Sequence, residues 1–308
     1  MPHRRRARPR LALSADSRQP PLSLRAGGTL VGLAALWGAS FMLIRVAVPS
    51  LGALPLIGVR VATASLVLTP LALSRTGREA LRGRWAALLV LGACNTTIPF
   101  ALLTAATKRL PSGVASVLNA TVPLWGALVA WWWFGDALYF SRASGLFVGF
   151  GGVLALIAAR GTLTLDGDLP SVLLFLLGTL SYAISAGITR KYLSGLSALR
   201  VTAGSMLGGA ATLLILLPWV RPPAAATGRA WACAIFLGLG STALGNWAYF
   251  DLIGRVGMSR AITVTYLAPV FGLFWATTLL GERFTLPMLG AAAMMVLGTV
   301  FATRPRPS

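Results

Sequence analysis

The chain has 308 residues, of which 56% are hydrophobic and only 11% are charged, and its mean hydropathy is +0.77. Soluble domains carry about 25% charged residues, so this composition excludes a water-soluble globular protein. The formal charge of +20 would suggest nucleic acid or acidic lipid as a partner if it lay on one soluble face, but the basic residues are sorted between short loops.

The chain begins with a basic arm, residues 1–27, ahead of the first apolar stretch. A basic segment before an apolar one is also typical of a targeting peptide. This apolar stretch, however, is long enough to span a bilayer and lacks a convincing small-residue cleavage site. We therefore expect a retained arm whose arginines determine topology, in preference to an arm that binds nucleic acid or anionic lipid.

Apolar stretches of membrane-spanning length then recur to the end of the chain, separated by short polar breaks. They are continuously apolar, which disfavours a membrane β-barrel, because barrel strands alternate in polarity. Cys94 and Cys233 fall inside these stretches and His3 lies in the arm, so neither a disulfide framework nor a metal site is predicted. We predict transmembrane helices at 28–47, 54–73, 86–106, 112–134, 143–159, 171–189, 199–219, 231–253, 259–280 and 286–302.

The distribution of lysine and arginine predicts the orientation of these helices. Nineteen basic residues lie in the arm, in the tail at 303–308 and in the loops on the same side, against six on the opposite side. By the positive-inside rule both termini are cytoplasmic. An even number of helices agrees with that placement.

The two halves of the chain resemble each other when they are aligned without gaps. A shift of 146 residues aligns Trp85 with Trp231, Pro123 with Pro269 and Asp136 with Glu282, and a shift of 145 aligns Trp37 with Tyr182 and Arg45 with Arg190. Each half holds five predicted helices, an odd number, so the second half must enter the membrane from the opposite side. This pattern predicts an all-α integral membrane protein with ten transmembrane helices in two inverted five-helix repeats, 28–160 and 168–302, and a substrate site between them.

Several short motifs carry a resemblance to a known family. They are Leu36–Phe41 (LWGASF), Arg60, and two copies of a module that runs from a proline through Gly-Asp or Gly-Glu to a later glycine, at 119–152 and 266–298. The chain thereby resembles EamA-type members of the drug/metabolite transporter superfamily. The first copy has Asp136 where the family usually has glutamate. The resemblance implies a ten-helix alternating-access carrier of the inner membrane, often an exporter of amino acids or related metabolites.

Charged groups inside the membrane are candidates for function because burying them there is costly. Arg60 is expected either to contact an anion or to bind helix-end carbonyls, and Arg45 either to bind a substrate carboxylate or to extend towards the interface. Asp251 is a candidate for proton coupling, although an i,i+4 ion pair with Arg255 would keep it ionised. Asp136 and Glu282 are candidates for gating, or else cap the next helix or pair with Arg142 and Arg283.

Uncharged polar and aromatic residues are candidates for a substrate pocket, since such a cavity needs a few polar groups among apolar walls. The alternative for each Asn or Thr is a hydrogen bond between helices, worth about 0.6 kcal/mol on average. Pro123 and Pro269 are expected to bend their helices beside the cavity. Gly38, Gly126 and Gly272 are expected to allow close helix approach. Together with Arg60, the candidates for substrate contact are Trp37, Asn95, Thr96, Asn119, Asn246, Tyr249 and Tyr266.

Three functional classes remain after these observations. A secondary transporter is favoured, with the lipid bilayer and a small-molecule substrate as partners, protons as a candidate coupling ion, and no cofactor or nucleic acid. An intramembrane enzyme is disfavoured, because it would require a Ser/His pair, paired aspartates or a metal cluster, whereas the one histidine lies outside the membrane and only one acid lies inside it. No nucleotide-binding loop is present, so transport must be coupled to an ion gradient or to the gradient of the substrate itself. A sensor or assembly factor that keeps a transporter fold without moving substrate is the alternative. The sequence leaves the substrate, the direction of transport and the oligomeric state open.

Overall fold

The structure is a computed structural model, and it describes residues 23–159, 169–216, 226–256 and 258–303. Every regular element in these ranges is a helix. Most of the predicted basic arm and of the tail lies outside the described residues. The all-helical class predicted from the sequence is confirmed.

Fifteen α-helices and two π-helical segments are described. The π segments, Ala93–Thr97 and Leu237–Leu244, each continue directly into the α-helices on either side. In chain order the α-helices are α1 Leu24–Leu51, α2 Ala53–Leu73, α3 Arg75–Leu81, α4 Trp85–Gly92, α5 Ile98–Ala106, α6 Ser112–Asn119, α7 Val122–Phe134, α8 Phe140–Ala159, α9 Leu169–Tyr192, α10 Ala198–Leu216, α11 Gly228–Phe236, α12 Gly245–Val256, α13 Met258–Ala261, α14 Val264–Leu280 and α15 Leu286–Ala302.

Seven helical stretches in the described part are long and apolar enough to cross a membrane, and α14 and α15 are shorter apolar helices. The stretch from α11 through its π segment to α12 coincides with the predicted span 231–253. The chain is therefore a multi-pass membrane protein. Some helices extend beyond the predicted spans by a few residues. Helix α1, for example, begins at Leu24, where the Ser23 hydroxyl accepts from the Ala26 N–H and caps the first turn.

Two predicted single helices are interrupted, and the interruptions differ. The span 112–134 divides at 120–121, and Pro123 lies in the first turn of α7, where a missing N–H is tolerated. The span 259–280 divides at 262–263, whereas Pro269 lies inside α14, several residues beyond that break. The two prolines, although aligned in the sequence, are thus not equivalent in structure.

Glycines allow close approach between helices of the two halves. A Cβ on Gly38 would lie 2.7 Å from the Ala268 carbonyl oxygen, and one on Gly272 would lie 1.9 Å from the Ser116 Oγ. These contacts bring α1 and α6 against α14, as expected for both glycines. The expectation for Gly126 is wrong, because a Cβ there would meet nothing within 4 Å.

The helices pack in pairs around a central space. Helix α1 packs on α14, and α9 on α5 and α7. Helix α10 packs on α2 and α4, α2 packs on the π segment 237–244, and α8 packs on α15. Side chains from both halves therefore face one another in the middle of the protein.

Candidate functional site

A cavity of about 730 Å³ lies between the two halves. Its lining is mainly apolar and aromatic with separate polar groups, as is typical of small-molecule sites. At one end the lining includes Ser194 and Ala198 of the exposed α9–α10 turn, so the cavity reaches the surface there. Among the residues that the sequence predicted to contact substrate or to bend a helix beside the cavity, those that line it are Trp37, Arg60, Asn95, Asn119, Pro123, Asn246 and Tyr249.

Two of the predicted substrate contacts are directed elsewhere. Thr96 is fully buried and packs against Gly209 of α10, where a Cβ on the glycine would lie 2.9 Å from the threonine Cβ. The Tyr266 hydroxyl is hydrogen-bonded to the Thr303 hydroxyl. Neither residue lines the cavity. Adjacent residues on a helix point about 100° apart, so the packing of the helix decides which of them faces the cavity.

Arg60 is the charged group deepest in the cavity lining. Its Nε donates to the Thr242 Oγ1 at 3.0 Å, and its Cζ lies 3.9 Å from the centroid of the Phe100 ring. The ring face stabilises the cation without neutralising it. Among the described residues no helix-end carbonyl accepts from Arg60, so this expected role is not seen, and the other one, contact with an anion, stays a prediction.

The two π segments place polar side chains on the cavity wall. Asn95 donates from Nδ2 to the Ser205 Oγ at 3.3 Å and accepts at Oδ1 from the Ser185 Oγ at 3.0 Å. In the second segment Ser241 and Thr242 line the cavity. Segments of π-helix occur frequently at functional sites, because the extra residue in the turn redirects side chains.

Aromatic residues close one side of the cavity. Trp37 and Tyr249 pack with their ring centroids 5.2 Å apart, and the Trp37 Nε1 donates to the Ser241 carbonyl at 3.1 Å. Gly245 makes room for this indole, because a Cβ there would lie 2.7 Å from Nε1. Both rings are thus held in place as a wall on which a flat or apolar group can pack.

Several cavity residues were not predicted from the sequence. Tyr182, Phe100 and Ser241 all line the cavity. Tyr182 had a detectable signal, because it aligns with Trp37 in the internal repeat. Phe100 and Ser241 had none, since a phenylalanine or a serine in an apolar helix is unremarkable.

The three candidate carboxylates lie outside the cavity, and each has a partner. Asp251 accepts from Arg255 at 2.8 Å, which confirms the predicted i,i+4 pair. Asp136 accepts from Arg190 at 2.8 and 3.0 Å, rather than from Arg142 as expected. The hydrogen bond from this guanidinium holds the pKa of Asp136 below its ordinary value.

Glu282 caps a helix of the other half, not the helix that follows it, and does not pair with Arg283 as expected. Its Oε1 accepts from the Ser112 N–H at 2.7 Å and the Ser112 Oγ at 3.0 Å, and its Oε2 accepts from the Gly113 N–H at 3.0 Å. A carboxylate at a helix N-terminus is stabilised by the free N–H groups and the helix dipole. Glu282 thereby joins the loop after α14 to the start of α6.

Arg45 makes a second contact at the same end of the protein. Its Nη1 donates to the Thr107 carbonyl at 2.8 Å and the Lys108 carbonyl at 2.7 Å, just beyond the end of α5. This binding of helix-end carbonyls was not among the roles expected for Arg45. Arg45 and Glu282 thus bind helix ends at one end of the protein, whereas the cavity reaches the surface at the end where Arg190 lies.

Metal-ligating side chains are dispersed. Within the described ranges, no group of three or more His, Cys, Asp or Glu residues is placed to hold a metal ion.

Comparison with known proteins places the chain in a family. The EamA-like transporter family matches it twice, over residues 26–158 and 169–304. The "Uncharacterized transporter YvbV" of Bacillus subtilis (strain 168) is 27% identical over 271 residues, covering 87% of this chain and 88% of that protein. The "Probable terminal-alkyne amino-acid exporter" of Streptantibioticus cattleyicolor is 27% identical over 276 residues, covering 87% and 90%.

One solved crystal structure shows the same fold. It superposes with a TM-score of 0.65 at 22% sequence identity, covering 91% of this chain and 98% of that chain. The family match and the named relatives point to transport rather than to enzymatic activity. The chain, a multi-pass helical membrane protein with a cavity between its halves, belongs to the EamA-like transporter family.

Proposed function

We propose that this protein is a secondary transporter that exports small metabolites, such as amino acids, amines or related compounds, by alternating access. The observation that carries the proposal is the central cavity, which reaches the surface at the α9–α10 turn. We infer that the helix-end contacts of Arg45 and Glu282 close its other end. A carrier in one of its two end states requires such a cavity, with one end accessible and the other closed.

The alternating mechanism rests on ten membrane crossings in two inverted repeats. Two separate matches to the same family, one in each half, support a duplication. The helix contacts support it as well. The alignment relates α1 to α9 and α7 to α14, so that the α1–α14 contact corresponds to the α9–α7 contact, and both are present. The same exchange relates the contact of α10 with the 93–97 segment to that of α2 with the 237–244 segment, and both are present.

The orientation follows from the charges. The α9–α10 turn lies on the side that carries most of the basic residues, so the positive-inside rule assigns it, and both termini, to the cytoplasm. The membrane is the plasma membrane, the inner membrane where there are two. The cavity then faces the cytoplasm in this structure, the state in which an exporter loads its substrate.

Asp136 and Glu282 act as gating residues that exchange roles between the two end states. The repeat relates Asp136 to Glu282 and Arg45 to Arg190. At the accessible end Arg190 and Asp136 hold each other, whereas at the closed end Arg45 and Glu282 bind backbone groups of another helix. When the halves exchange conformations, Arg45 pairs with Glu282, and Asp136 and Arg190 take over the closing contacts.

The test is flux in proteoliposomes loaded with a panel of amino acids, amines and small metabolites, with and without an imposed pH gradient. We expect counterflow of particular members, because a carrier exchanges labelled for unlabelled substrate. A rate that follows the pH gradient would identify protons as the coupling ion and would make Asp251 and Glu282 the first carboxylates to replace. Binding without flux of any bound compound would instead favour a non-transporting sensor or assembly factor.

A further inference from the structure

Among the described residues, no carboxylate pairs with the positive charge that the cavity carries. Arg60 makes no ion pair among the described residues, and none of the described carboxylates, Glu79, Asp136, Asp251 and Glu282, lines the cavity. Arg190 also reaches the lining, but its charge is matched by Asp136 at the rim. The interior of the cavity therefore has a net positive charge at Arg60.

The guanidinium of Arg60 has free hydrogen-bonding capacity. An arginine has five N–H donors, and within the described part of the chain only the Nε–H has a protein acceptor, the Thr242 Oγ1. Phe100 covers the group but accepts no conventional hydrogen bond. The terminal amino groups are consequently available to an acceptor inside the cavity.

Ser241 offers a second donor on the cavity wall. Ser241 is only 3% exposed, lines the cavity and has an Oγ without a hydrogen-bond partner among the described residues. It precedes Thr242, the residue that orients Arg60. A buried hydroxyl without a partner is uncommon in a protein interior, and a bound acceptor would satisfy it.

Apart from Arg60 and the paired Arg190, the polar groups of the cavity lining are neutral. The side-chain amide of Asn119 forms no hydrogen bond among the described residues and is not fully buried. An amide oxygen can accept from an ammonium group without neutralising it. A cation with no acidic group would therefore meet the repulsion of Arg60 and gain no ion pair.

We propose that Arg60, with Ser241, forms an anion subsite that selects substrates carrying a carboxylate and excludes amines that lack one. The planar guanidinium suits a carboxylate, which accepts two parallel N–H bonds. An ammonium group on the same substrate faces neutral acceptors such as Asn119. This inference rests on the proposed function and narrows its substrates to amino acids and other carboxylates.

The test measures ligand-induced thermal stabilisation of the purified full-length protein in phosphatidylcholine nanodiscs, which contain no anionic lipid. The probes are the twenty proteinogenic amino acids, their methyl esters and the corresponding decarboxylated amines. We expect a subset of the free acids to stabilise the protein. Their esters and amines should bind at least about 100-fold more weakly, the loss expected for two charge-assisted hydrogen bonds.

Matched variants separate the charge from general effects on folding. Arg60→Gln should abolish stabilisation by the acids, whereas Arg75→Gln, at a side chain 90% exposed near α3, should leave it unchanged. Thr242→Asp places a carboxylate beside Arg60 and should also abolish acid binding. Thr242→Asn has nearly the same shape without the charge, so it should keep the preference for acids, with at most a modest loss of affinity.

Each contrary result is decisive. An ester or amine that binds as tightly as its acid, acid binding that survives in Arg60→Gln or Thr242→Asp, or no acid binding to the wild type would overturn the anion subsite. Flux of amines alone in proteoliposomes would overturn it while leaving the transporter function intact. Acid binding without flux would leave the subsite in place and contradict transport instead.

Discussion

Replacing Glu282 by glutamine should open the closed end of the cavity. The carboxylate accepts three hydrogen bonds, two of them from backbone N–H groups at the start of α6. Glutamine keeps one acceptor oxygen but presents an NH₂ group to donors, so at least one bond is lost and the others lose their charge. Since hydrogen bonds to charged groups contribute about 1.5–3 kcal/mol each, we expect a loss of about 2 kcal/mol. This corresponds to a change of about 30-fold in the ratio of closed to open molecules at that end.

The assay is a distance measurement by electron spin resonance on protein in nanodiscs, after Cys94 and Cys233 have been replaced by alanine. One pair of spin labels, at Lys108 and Arg283, spans the closed end. A second pair, at Ser194 and Gly254, spans the accessible end. In Glu282→Gln the first distance should lengthen and the second should shorten, because alternating access couples the two ends.

Asp136→Asn is the matched control at the position that the repeat relates to Glu282. It weakens the closing contacts that Asp136 would make in the other state, so it should shift the distances in the opposite direction. If the distances in Glu282→Gln show that the ratio of closed to open molecules has changed by less than about threefold, the free energy assigned to the Glu282 cap is contradicted. A shift in the same direction for both variants would contradict the exchange of roles.

Three further changes follow from the packing and the charges. Gly92→Ala should destabilise the protein by about 1–3 kcal/mol and lower its melting temperature, because the alanine Cβ would overlap the backbone of α10. Gly126→Ala has open space around it and should leave the melting temperature unchanged. Thermal unfolding of both variants in detergent tests this difference. Trp37→Phe should weaken substrate binding several-fold, because it removes the hydrogen bond from Nε1 to the second π segment, and the free energy of one hydrogen bond corresponds to such a change. A titration of substrate binding measures the affinity. An unchanged affinity would show that Trp37 does not contribute to the site. The hydrogen bond from Arg190 lowers the pKa of Asp136 in the folded state. The stabilisation from this pair is therefore fully present above the unfolded pKa of about 3.9 and is lost as pH falls through the lower, folded pKa. Distances across the accessible end should stay constant from pH 8 to pH 5, and a change within that range would have to come from another group.

The positions of the helices could be predicted because a bilayer imposes a length and a polarity on each of them. Seven helical stretches of the described residues are long and apolar enough to cross a membrane, and the remaining predicted spans overlap shorter or broken helices, with 217–219 outside the described residues. The pair between Asp251 and Arg255 could also be predicted, since residues four apart on a helix are neighbours whatever the surrounding fold. These features depend only on local sequence and on the solvent.

The partners of side chains on different helices could not be predicted. Thr96 and Asn95 are adjacent, yet one packs into α10 and the other faces the cavity. In a soluble protein the apolar face would have indicated which residue points inward. Here both lipid and protein interior are apolar, so the hydrophobic pattern carries little information about the rotation of each helix.

The same reason explains why the partners of Asp136 and Glu282 were assigned incorrectly. The next helix or an arginine close in sequence was the expected partner of each, whereas their partners in the structure, Arg190 and the start of α6, are distant in the chain. The sequence by itself determined the helices, the side preference of the basic residues and the two similar halves, because these follow from hydrophobicity, charge and repetition. Only the tertiary structure decided which helix ends Arg45 and Glu282 bind and that Arg60 lies in the cavity without a carboxylate partner among the described residues, because both depend on how helices from the two halves pack together.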